Sequence, residues 1–175
     1  MMMSIYRTMT RLGTPLIRFY LSTRLKMGKE CRLRFTERLG EASIARPEGL
    51  LAWVHAASVG ESLSMLPLIE RLRVEHSEWK ILVTTGTITS ATIMSERLPD
   101  GAFHQFIPVD QVEYIHKFFN HWKPNLVLWT ESEFWPNLIC YTSALNVPMV
   151  LLNGRISNKS FKNWKFFPGL IKEIL

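Results

Sequence analysis

The 175-residue chain is expected to fold as an α/β domain around a doubly wound, mainly parallel sheet, preceded by a basic amphipathic helical arm. Three observations predict this. From Leu50 onward short apolar runs alternate with segments of helical periodicity, the pattern of strands joined by crossover helices. The first 35 residues hold eight Lys and Arg against one acid, Glu30, so they contribute +7 to a net charge of +6 and leave the rest at −1. A hydrophobic content of 47% supplies one sizeable core and excludes intrinsic disorder. The expected division is an arm over 1–35 and a body over 36–175.

In the arm, Ile5, Met9, Leu12, Leu16 and Phe19 recur at the spacing of one helical face, while Arg7, Arg11 and Arg18 fall on the other. Gly13 and Pro15 interrupt that pattern and predict a broken or late-starting helix. No uninterrupted apolar run of about 18 residues occurs there, so a spanning helix is not expected. Basic residues continue through the stretch where a signal peptide would be apolar, and no small-residue cleavage site follows. Two readings remain for the arm: a helix that packs on a partner domain, or one that lies in a bilayer interface with its arginines among lipid phosphates. The second is preferred, with anionic membrane lipids as partners. Charge confined to an arm does not describe a nucleic-acid groove.

In the body, strands are expected at 50–56, 80–85, 103–107, 126–130 and 149–153. Helices are expected near 61–75, 90–97, 111–121 and 135–145. The uncharged stretch from Phe134 to Gly154 is long enough to span a membrane. Pro136, Asn137, Asn146 and Pro148 divide it into a helix and a strand. Cys31 and Cys140 lie far apart without a partner pattern, which favours free thiols in a reducing compartment. The only aspartates are Asp100 and Asp110, too far apart for an Asp-x-Asp metal site, and neither a G-x-G-x-x-G motif nor a P-loop is present, so no metal or cofactor is expected.

Ligands of such sheets collect beyond the carboxyl ends of the strands, which directs attention to four polar loops: HAASVGES at 55–62, TTGTITS at 84–90, TESEFWPN at 130–137 and NGRISNKS at 153–160. Ser58 and Gly60 lead into a helix with Glu61 in its first turn. Glu61 is then either a helix-capping carboxylate or a general base held ionised by the helix amino terminus. Glu131 and Glu133 follow the fourth strand, and at least one of them is expected to be structural. Arg155 follows the fifth strand, placed for bidentate phosphate binding, with Lys159 and Lys162 behind it. His55, at a strand end, is either functional or a satisfied near-core histidine.

Together, WVHAASVGES (53–62), TTGTITS (84–90), LPDGAFHQFIPVD (98–110), WTESEFWPN (129–137) and LLNGRISNKSFKNW (151–164) resemble the amino-terminal half of the bacterial 3-deoxy-D-manno-octulosonic acid (Kdo) transferases. That resemblance implies the Rossmann-like amino-terminal half of a GT-B glycosyltransferase, inverting and metal-independent, transferring Kdo from CMP-Kdo to the lipid A precursor in lipopolysaccharide synthesis. It implies attachment at the cytoplasmic face of the inner membrane. Glu61, in the S-x-G-E motif, becomes the expected base. Ser58, Gly60, Thr85, Glu131, Glu133 and Arg155 become expected acceptor-binding residues. Gly86, Ile88 and Gly154 stand where many members carry threonine, proline and alanine. A donor half carrying the CMP-Kdo site is expected to be missing from this chain, as from a truncated or split gene, so it should not turn over alone. The alternative is a catalytically inactive, membrane-peripheral binding module that keeps only the acceptor cleft.

Overall fold

The computed structural model describes residues 2–130, 134–155, 158–166 and 168–174. Five strands, β1 (Leu51–His55), β2 (Lys80–Thr85), β3 (Ala102–Phe106), β4 (Leu126–Thr130) and β5 (Met149–Leu152), form one sheet in the order β3-β2-β1-β4-β5. Every neighbouring pair is parallel. The predicted doubly wound sheet is present, and all five strands lie where the apolar runs placed them.

Parallel strands need crossovers, and helices supply them on both faces. The elements α3 (Val59–Glu75) and α4 (Ile88–Arg97) cover one face, where Met65, Leu66, Ile69 and Met94 pack on Val54, Ile81, Val83 and Leu128. On the other face lie α5 (Val112–Trp122) and α6 (Pro136–Ala144), whose Ile115, Phe118, Phe119 and Leu138 meet Leu51, Trp53, Leu82 and Trp129. Burial on both faces explains why the strands read as continuous apolar runs rather than as alternation. The indoles of Trp53 and Trp122 stay satisfied inside by donating to Thr84 Oγ1 and Gln105 Oε1, each at 2.8 Å.

The arm forms two helices, α1 (Met2–Leu12) and α2 (Thr14–Lys26), broken at Gly13 with Pro15 in the first turn of α2, as its sequence predicts. Met3 and Leu21 are buried, Tyr6 donates to Asp110 Oδ2 at 2.9 Å, and Arg18 donates to the Tyr114 hydroxyl at 3.1 Å. Arg7 and Arg11 line a cleft against α5 and α6. Met3, Tyr6 and Thr10 turn toward the body, and the exposed Arg7 and Arg11 stand at the rim of that cleft. Ile5, Met9, Leu12, Leu16 and Phe19 point outward, each 54–78% exposed. Among the described residues no helix is long and apolar enough to cross a membrane.

Some of the arm's charge is structural. Arg24 pairs with Glu30 at 2.6 Å, and Arg34 holds the fully buried Glu37 with two bonds of 2.8 and 2.9 Å. Glu37 also accepts the Phe106 N–H at 2.7 Å, which fastens the single 3₁₀ turn Phe35–Leu39 to β3. Gly40 ends that turn at φ +81°, pressed so close to the Tyr114 backbone that a Cβ would overlap its carbonyl.

Asp110, one of the two aspartates, ties three elements together. Its carboxylate accepts the Asn137 and Leu138 N–H groups at 3.0 and 2.9 Å, capping α6 from a distant loop, as well as the Tyr6 hydroxyl. Burial pushes this carboxyl up, against the pull of those donors. Asp110→Ala should cost about 2–4 kcal/mol, because the cap is lost and the half-buried Tyr6 hydroxyl is orphaned. Chemical denaturation of that variant checks it; an unchanged midpoint would mean that the Asp110 bonds add nothing measurable to the fold.

Candidate active site

In this strand order the chain reverses direction across the sheet between β1 and β4, and the carboxyl edge at that switch point is where doubly wound sheets bind their ligands. Glu61 stands on one side of it and Thr130 on the other. Ser58 caps α3 by accepting the Glu61 N–H on its hydroxyl at 3.2 Å. The Glu61 side chain folds back to take the Ala57 N–H on Oε2 at 2.8 Å and the Ser58 hydroxyl on Oε1 at 3.0 Å. This is a capping box in which the returning carboxylate reaches one residue further than usual.

A third donor comes from across the crevice. Thr130 Oγ1 lies 3.1 Å from Glu61 Oε2 and 2.9 Å from the His55 carbonyl, so its single proton is shared between them. An ionised carboxylate offers about four accepting positions. Three are used, two on Oε2 and one on Oε1. Among the described residues one accepting position on Oε1 stays open, at the amino terminus of α3. Such a carboxylate can accept a proton from a hydroxyl brought into the crevice. Both readings of Glu61 are thus compatible in one geometry: it caps α3 and keeps accepting capacity.

The other predicted site residues divide. Ser58 and Gly60 are exposed at the carboxyl edge, and a Cβ at Gly60 would meet nothing within 4 Å. Arg155 is exposed beyond β5 on the same edge of the sheet. Glu131 and Glu133 lie outside the described residues. Thr85 is brought elsewhere: it is fully buried, and its hydroxyl lies 2.9 Å from His104 Nε2. Both threonines ending β2 are covered because helices flank both faces, and Thr85 presents no surface to a ligand at the crevice.

His55 takes the core reading. It is fully buried, packs against Trp129 with ring centroids 4.4 Å apart, and sets Nδ1 3.0 Å from Thr84 Oγ1. Its Nε2 has no hydrogen-bond partner among the described residues. Burial lowers its pKa to about 3, as it does for His104, where the Arg34 guanidinium adds to the effect. Both rings are neutral at physiological pH. Asp110, Glu37 and Thr130 shape the site's surroundings without having been named as site residues; Thr130 opens the polar loop TESEFWPN at the end of a central strand, and Asp110 closes the LPDGAFHQFIPVD segment.

The family model for 3-deoxy-D-manno-octulosonic-acid transferase (kdotransferase) matches residues 33–175. The chain belongs to the Kdo transferase family. A probable mitochondrial 3-deoxy-D-manno-octulosonic acid transferase of Arabidopsis thaliana is 42% identical over 160 residues, covering 91% of this chain and 36% of the relative. The 3-deoxy-D-manno-octulosonic acid transferase of Rickettsia bellii is 37% identical over 174 residues, 99% of this chain and 41% of that protein. That of Haemophilus influenzae is 34% identical over 158 residues, 89% of this chain and 36% of its own length. The chain therefore spans about two fifths of the length of these curated relatives. The five-stranded parallel sheet agrees with the Rossmann-like amino-terminal domain expected of this family.

Proposed function

We propose that this chain is the acceptor-binding half of an inverting, metal-independent glycosyltransferase that moves Kdo from CMP-Kdo to the lipid A precursor in lipopolysaccharide synthesis. The observation that carries this reading is the meeting of Glu61 and Thr130 across the switch point, where the described residues leave one accepting position on the carboxylate for substrate. In the reaction, Glu61 takes the proton of the acceptor's primary sugar hydroxyl as that oxygen attacks the anomeric carbon of Kdo and CMP leaves. No step calls on a metal: of the two aspartates, Asp110 is committed to capping α6. The CMP-Kdo site is assigned to a donor half of the kind a GT-B enzyme carries, and the acceptor side to the residues described here.

Arg155 is assigned to an acceptor phosphate, supported by its exposure on the sheet edge that holds Glu61. Titration of the chain with the phosphorylated lipid acceptor should show Arg155→Ala weaker by about 1.5–3 kcal/mol, the worth of a charge-assisted hydrogen bond. Unchanged affinity would make Arg155 a tie between loops.

The arm is assigned to the cytoplasmic face of the inner membrane, peripherally attached to anionic lipids. Its outward stripe supplies the insertion. Deleting the arm would also remove Met3, Tyr6 and Leu21 from the packed body, so the informative change is confined to the stripe. Leu12→Asn with Leu16→Asn should release the protein from vesicles of anionic phospholipid without lowering its thermal midpoint. Equal co-sedimentation of variant and parent would deny the stripe a membrane role.

A further inference from the structure

The outward face of α1 is not uniform. Ile5 and Met9, besides belonging to the exposed stripe, wall a groove of about 450 Å³ whose far side is Phe134, Pro136, Trp164 and Leu170. Phe134 and Trp164 face each other edge-on with ring centroids 6.3 Å apart. The last two residues come from α7 (Asn158–Trp164) and α8 (Pro168–Ile174), which follow β5. Tyr6 also borders the groove, but its hydroxyl is spent on Asp110. What remains is an apolar space of the size that small ligands occupy.

Three features say what fills it. Through Ile5 and Met9 the groove is continuous with the exposed apolar stripe of the arm. On its far side, Phe134 and Pro136 follow Thr130, which touches Glu61, by only four and six residues along the chain. On the opposite flank of the same helix, Arg7 and Arg11 line a second cleft of about 360 Å³ together with His116 and Tyr141. An apolar slot joined to an exposed apolar stripe, a cationic cleft beside it and a carboxylate whose partner Thr130 lies four residues before its wall together suit a molecule with an apolar tail, anionic groups and a sugar hydroxyl.

We infer that this groove is a subsite for one acyl chain of the anionic lipid acceptor. Seated there, the chain positions the lipid's sugar toward the Glu61 crevice. The inference rests on the acceptor-binding reading above and extends it: acylation of the acceptor becomes a recognition element read by the protein, beyond its role in holding the acceptor in the bilayer.

The test uses two water-soluble probes that carry no bilayer with them, a fully deacylated glucosamine disaccharide bisphosphate and the same disaccharide bearing one octanoyl chain. Each is titrated below its aggregation threshold against the full chain. The octanoyl probe should bind at least about ten-fold tighter, which burial of about two methylenes would supply. Ile5→Asn with Met9→Asn should reduce its affinity to that of the deacylated probe and leave the deacylated probe unaffected. Leu12→Asn with Leu16→Asn, on the stripe but outside the groove, should change neither.

Equal affinity of the two probes for the parent chain overturns the subsite and leaves the acceptor reading standing. Equal losses in the two double variants overturn it as well, since adsorption to the stripe would then explain the preference. Binding of neither probe overturns the acceptor reading and the subsite with it.

Discussion

Glu61→Gln, in a protein that carries the donor half, is expected to lower the rate of Kdo transfer by about 10²–10⁴-fold while leaving the fold and acceptor affinity nearly unchanged. The geometry explains the asymmetry. A glutamine at this position still accepts the Ala57 N–H and can exchange a hydrogen bond with Ser58, so the capping box survives with only the loss of a first-turn charge, worth roughly 0.3–1 kcal/mol. What disappears is the proton acceptor on Oε1. Transfer rate and thermal midpoint measured on the same variant separate the two roles. Near-normal turnover would reduce Glu61 to a cap and move the base elsewhere, with Glu131 and Glu133 the next residues to test.

Acidification is expected to destabilise the chain strongly well above the range where carboxylates titrate. His55 and His104 are held neutral in the core with pKa values lowered to about 3, whereas in the unfolded chain a histidine takes up its proton near 6.5. Stability conferred by these groups is complete above that unfolded value and falls as pH drops toward the folded one, because the unfolded state then binds more protons. From pH 7 to pH 5 each ring contributes a loss of about 2 kcal/mol, about 4 kcal/mol together. Asp110 acts in the opposite sense, since burial raises its folded pKa and acidification through its range favours the folded state. Urea unfolding at the two pH values gives the difference. A flat profile would mean that both rings reach water, and half the loss that one of them does.

Most of the body was legible in the sequence because its signals are local. Apolar runs of strand length, helical periodicity and the Gly13–Pro15 break each act within a few residues, and the structure follows all three. The capping role of Glu61 was legible for the same reason, being set by the Ser58-x-x-Glu61 spacing. What could not be read depends on partners distant in the chain. The Arg34–Glu37 spacing is visible, but the burial of that pair comes from β3, about 70 residues on. Asp110 looks like a loop residue before α5 and instead caps α6, 27 residues away. Thr85 shares a polar loop motif with residues at the edge, yet its own side chain faces His104 under a helical layer.

The arm is instructive in the same way. Amphipathicity identified two faces without saying which one meets the body. Apolar burial alone would favour turning Ile5, Met9 and Leu12 inward. The bonds from Tyr6 to Asp110 and from Asn137 to Thr10 (3.2 Å) orient α1 the other way, and the apolar side remains outside. An exposed stripe of this kind exceeds the scattered apolar residues normal on a protein surface and calls for a cover, which the proposed membrane contact supplies.

Amide hydrogen exchange on this chain, with and without the phosphorylated lipid acceptor in detergent micelles, probes the Glu61–Thr130 crevice most directly. Acceptor seated against the crevice should slow exchange across 56–62 and 134–138, the loop holding Glu61 and the start of α6, beyond any effect of the detergent alone. Unchanged rates in both segments at saturating acceptor would contradict binding at the switch point and, with it, the role assigned to Glu61.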